Sequence, residues 1–148
     1  MNAHDSDSLE KELRSRFDEL KQRLGFKVSF EEVDSIFFIS DSILSSGFVS
    51  SRLSRQVCFR IVDIYMNWVN YLHGLALPPP NYMVQMHEHK MINETDKKEI
   101  WKLIGEVMSL VSQNSVIGLT KDHADEGRFF DDAVTFWNAS FQPRVLRL

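Results

Sequence analysis

Five residues between positions 83 and 91 carry donor atoms for a soft or borderline metal: Met83, Met86, His87, His89 and Met91. Thioether with imidazole suits copper, and imidazole alone suits zinc. Spacing decides whether they could act together. On a helix, residues two apart point about 200° from each other, so His87 and His89 share a face only in an extended segment. The stretch follows Pro78-Pro79-Pro80, which forces an extended start. His87-Glu88-His89 lacks the histidine four positions on that a helical zinc-protease motif requires. Methionine near aromatic residues is more often core filler. Residues 78–92 are therefore read as a proline-led irregular connection, within which 81–92 form either a short helix or an irregular strap across the bundle, with no metal and no cofactor.

A second group is Asp122, His123, Asp125 and Glu126. A bundle could bring it beside His87 and His89 to form a mixed carboxylate and imidazole site. The plainer reading is a solvated loop with Asp125 as a helix cap. A di-iron site would need Glu-x-x-His pairs on core faces, and the sequence contains none. Cys58 sits in the most apolar stretch, where a thiol is inert. Toward the C-terminus, Arg128, Phe129, Phe130, Trp137, Arg144 and Arg147 mix aromatic with basic character, as single-stranded nucleic acid sites do. Asp131 and Asp132 interrupt them, and core packing is the stronger reading. No glycine-rich phosphate loop or Gly-x-Ser-x-Gly elbow occurs.

The element that must position all of these is Leu53–Leu77. Apolar residues lie nearly all round it, as in a helix buried among helices. Its polar residues Gln56, Arg60, Asp63, Asn67 and Asn70 are spaced 4, 3, 4 and 3, which places them on one stripe, and His73 extends it. The stripe is either a solvated edge, with Arg60 and Asp63 paired, or a polar network facing a groove or partner. A solvated edge is the default, and the stripe is carried forward as a candidate binding surface. A membrane span needs about 20 mainly apolar residues, and Arg60 and Asp63 interrupt this one.

Around the central helix, the pattern predicts four more. The first starts near Ser6 or Ser8, after disordered residues 1–7, and stops at Gly25. Leu9, Leu13, Phe17, Leu20 and Leu24 form its apolar face, which could cover its own core or pair with a second copy. Glu10–Arg14, Glu12–Arg16 and Glu19–Arg23 are acid-to-base pairs one turn apart. Ser29 and Glu32 fit a capping box for a second helix over Phe30–Leu44. Ser45–Ser51 reads as a turn leading to a cap at Ser50 or Ser51; a phosphate role for these serines is the less favoured reading. Asn93 or Thr95 caps the next helix, and the last begins near Asp125 and meets Pro143. Strand and hairpin signals are missing.

One domain is expected for 148 residues, all-α, an antiparallel bundle of about five helices around a buried central one. A single cysteine excludes an internal disulfide and suits a reducing compartment. With no signal segment at the start, a cytoplasmic protein is expected. The net charge of −4 argues against duplex nucleic acid. Two functions remain. The favoured one is a non-enzymatic interaction or regulatory module that self-associates as a homo-oligomer or binds another protein, since no catalytic motif is present, the first helix offers a charged amphipathic face and the C-terminus ends apolar. The alternative is a metal-dependent or nuclease-like enzyme using His87, His89, His123 and nearby carboxylates.

Overall fold

The computed structural model describes residues 3–77, 83–121 and 123–148. They form an all-α antiparallel bundle with no strand among them. The segments are α1 (Ala3–Leu24), α2 (Phe30–Phe37), α3 (Ile39–Ser46), α4 (Leu53–Ala76), α5 (Met83–Lys90), α6 (Glu94–Thr120) and α7 (His123–Phe136). A π-helical turn, Trp137–Phe141, continues α7 into α8 (Gln142–Leu146). Counted with that last rod as one, the described residues form seven helices where the sequence pattern predicts about five. The two additions are a break inside the second helix and α5.

α4 is the hub. Leu53, Val57, Ile61, Tyr65, Val69 and Leu72 are buried along its length, and it packs against α1, α2, α3, α5, α6 and α7, most extensively against α6. No helix of the described residues is long and apolar enough to cross a membrane.

Local signals set most boundaries. Ser29 Oγ accepts from the Glu32 N–H at 3.1 Å while Glu32 accepts from the Ser29 N–H at 3.2 Å, so the capping box forms. Asn93, rather than Thr95, caps α6 by accepting from the Asp96 N–H at 2.8 Å. Gly25 ends α1 with φ 72°, a conformation that glycine adopts without strain. At the other end, α1 is already helical from Ala3, ahead of the predicted start near Ser6. The expected disorder therefore fails for residues 3–7; Met1 and Asn2 lie outside the described residues.

The second helix breaks at Phe38, which adopts φ 56° and ψ 49°. Polar contacts on both sides hold this left-handed residue. The Asp34 carboxylate accepts from the Ser40 N–H at 2.7 Å and from its hydroxyl at 2.9 Å, and Arg60 Nε donates to the Phe37 carbonyl at 2.9 Å. Farther along, the π turn lies directly before Pro143. In an unbroken α-helix the Pro143 ring would clash with the Ala139 carbonyl, and widening the turn moves that carbonyl away.

α1 and α7 close the core through aromatics. Phe17 meets Phe26 and Phe30 edge-on at 5.3 and 5.4 Å, and Phe26 meets Phe130 at 5.0 Å. The Asp131 carboxylate accepts from the backbone N–H of Lys27 at 2.9 Å and of Val28 at 3.0 Å, which fastens the α1–α2 connection to α7.

Candidate functional site

The C-terminal half of α4 presents Asn67, Trp68, Tyr71, Leu72 and Leu75 on one side, at spacings that keep them on a single helix face. α5 lies beside that face and the α8 end of the chain closes it. Between them is a groove of about 650 Å³, walled further by Met91, Ile92 and Val145. Two hydrogen bonds fasten α5 to α4. The Tyr71 hydroxyl donates to Glu88 at 3.1 Å, and His89 Nδ1 lies 2.5 Å from the Leu75 carbonyl, a geometry in which the imidazole donates. Burial, then the Glu88 carboxylate, pushes the Tyr71 phenol up from its ordinary value.

A second cavity of about 540 Å³ also uses Asn67 and Trp68 and continues toward Phe38, Trp137, Asn138 and Gln142. The two share the Asn67 and Trp68 wall, and this pair of neighbouring hollows is the trough along α4. Both departures from regular helix, left-handed Phe38 and the π turn, stand at its far end. Such departures are frequent at working sites. The lining of the larger groove is mainly apolar with few polar groups, the composition of ligand and peptide grooves, whereas the second cavity also carries Ser35, Asn138 and Gln142.

No family profile matches this chain, and no curated protein or solved structure is similar to it.

The candidate stripe divides in two. Gln56 accepts from the Ser50 N–H at 3.1 Å and Arg60 donates to Phe37, so these two tie connections to α4. No Arg60–Asp63 ion pair forms among the described residues. Asp63, Asn67 and Asn70 are exposed, and Asn67 alone of the five faces the trough. His73 packs edge-on against Trp101 at 5.4 Å.

The candidate interface on α1 is corrected. Leu9, Leu13, Phe17 and Leu20 are buried in the chain's own core and Leu24 is half-buried. That face covers Phe26, Phe30 and Phe130, so a second copy could reach it only by opening the aromatic cluster.

The candidate ligand groups do not converge. Residues 83–90 are a short helix rather than an irregular strap, and this turns His87 and His89 to different sides; Pro78–Pro80 and Asp122 lie outside the described residues. Among the described residues no three His, Cys, Asp or Glu side chains are arranged to hold a metal. His123 instead meets Glu126 at 2.6 Å. Cys58 is fully buried, and burial pushes its thiol up to about 12, with Arg55 opposing and Glu126 adding to the shift. The thiolate a nucleophile needs is then scarce at neutral pH.

Phe129, Phe130 and Phe141 are core residues. Arg144 is held by Glu99 and Glu106. Burial pulls its guanidinium down, and the two carboxylates outweigh that and raise it. Sequence reasoning missed the trough itself, because Trp68 and Tyr71 read as ordinary members of a buried helix.

Proposed function

We propose that this chain is a non-enzymatic protein-interaction module that self-associates, and that the trough along α4 is the surface it uses. The observation that carries the reading is the apolar rim. Met91, 76% exposed, lines the groove itself, and Leu77 at the end of α4 and Met83 at the start of α5 are 62% and 83% exposed. Contiguous apolar surface rimmed by polar groups marks interaction sites, and methionines adapt to varied partners. A groove between two helices suits the apolar face of a third.

A second copy supplies such a face, since α5 itself carries the exposed Met83 and Val84. Two copies offering α5 to each other's trough make a closed, two-fold pair. The trough therefore replaces the α1 face as the proposed interface.

Sedimentation velocity from low to high micromolar concentration tests this. A concentration-dependent dimer is expected, and a joint Met83→Glu, Met91→Glu variant should stay monomeric with an unchanged helical spectrum. A wild-type chain that is monomeric throughout, or a variant that dimerises equally well, would overturn the proposal.

A further inference from the structure

A smaller and more polar cavity lies at the opposite end of α4. It holds about 260 Å³ between α1 and the start of α4, and its polar walls are Arg16, Glu19, Arg23, Ser51 and Ser54. We propose that it binds a phosphoryl group, with free phosphate as the preferred form. This site is independent of the trough.

The helix start supplies unpaired donors. The Gln56 N–H bonds the Arg52 carbonyl at 3.1 Å and opens the ladder of α4, so the N–H groups of Leu53, Ser54 and Arg55 precede it. Arg52 at the cap makes no side-chain capping bond, and the first turn has no acidic residue. The positive end of a 24-residue helix thus has no anion within its own first turn.

Ser54 gives a separate indication. It is only 6% exposed, it lines the cavity, and among the described residues its hydroxyl has no hydrogen-bond partner. An oxyanion in the cavity accepts from it.

The guanidinium groups complete the charge. Arg16 is fixed in place by donating to the Val49 carbonyl at 3.0 Å and the Ser50 carbonyl at 2.5 Å. Arg23 makes no ion pair with Glu19 among the described residues, although they stand one turn apart on α1. Arg16 also pairs with Glu12 at 3.8 Å, so the cavity wall holds one paired guanidinium, one unpaired among the described residues, one carboxylate and a helix start. Glu19 distinguishes one oxyanion from another. Phosphate near neutral pH keeps at least one O–H and donates it to a carboxylate, while sulfate has none and is repelled.

The test is amide NMR during titration with sodium phosphate at constant ionic strength and pH. Saturable shifts at Leu53, Ser54 and Arg55 are expected. Arg23→Ala and Ser54→Ala should each weaken binding, Arg23→Ala by about tenfold for a lost charge-assisted contact. Both variants should keep the wild-type helical spectrum, because Arg23 is exposed and the Ser54 hydroxyl has no partner to lose. Sulfate should bind more weakly than phosphate, and Glu19→Gln should remove that preference. Tighter binding of glycerol phosphate than of free phosphate would assign the site to a phosphorylated metabolite. Shifts that fail to saturate, or binding unchanged in both weakening variants, would overturn the proposal.

Discussion

The Tyr65 hydroxyl donates a 2.6 Å hydrogen bond to the Ala133 carbonyl inside the core, joining α4 to α7. Both groups are shut off from water, so the bond cannot be exchanged for one to solvent. Tyr65→Phe keeps the ring and its contacts with Phe37 and Phe141 but removes this buried bond. A loss of about 1–3 kcal/mol is expected, read as a lower urea midpoint at unchanged slope.

The same phenol sets an alkaline limit. Burial raises Tyr65 above its ordinary value of 10.0, and Tyr71 moves in the same direction. Above about pH 10 the unfolded chain has lost these protons while the folded chain keeps them. The native state then binds more protons, so stability falls as pH rises; below that pH the contribution is fully present. Urea midpoints measured from neutral to alkaline pH should drop, and Tyr65→Phe should flatten the drop.

Phe38 and Asp34 should respond in opposite directions. A left-handed conformation costs a non-glycine residue about 1–2 kcal/mol, so Phe38→Gly is expected to stabilise by about 1 kcal/mol. Asp34→Ala removes the acceptor from the Ser40 N–H and hydroxyl and should destabilise by about 1–2 kcal/mol. Thermal melts of the two variants check the signs.

Cys58 should resist modification. Its raised thiol pKa and complete burial suppress both the thiolate and access to it. Labelling by a thiol reagent at mildly alkaline pH should be slow in the native protein and rapid in denaturant. Fast native labelling would show that α4 opens far more readily than its packing implies.

Much of the scaffold was legible because its signals are local. The Ser29–Glu32 box, Gly25 and Asn93 act within a few residues of themselves, and so they mark helix ends in any context. The break at Phe38 was not legible, since an apolar residue gives no sign of a left-handed turn. Its supports include Arg60, whose expected partner Asp63 is one turn away but whose actual acceptor is the Phe37 carbonyl, 23 residues back. The helix over 83–90 was hidden for a similar reason. Its own amphipathic pattern is weak, and the contacts of Glu88 and His89 that anchor it lie on α4. The trough depends on bringing residues 67–75 beside 88–92 and Val145, a juxtaposition that no spacing rule records. The α1 face was read correctly as apolar, and its occupant turned out to be the chain's own aromatics.

α5 leans on α4 and on no other described helix to a comparable extent. Releasing it breaks the Tyr71–Glu88 and His89–Leu75 hydrogen bonds but leaves the aromatic core closed. Partial unfolding of this one wall therefore costs much less than global unfolding, as expected for a segment with few buried contacts. The width of the groove is then a distribution set by how often α5 detaches, and a bound helix would narrow it. Hydrogen exchange at residues 83–90 should slow on binding, while exchange in α4 near Tyr65 stays tied to global stability.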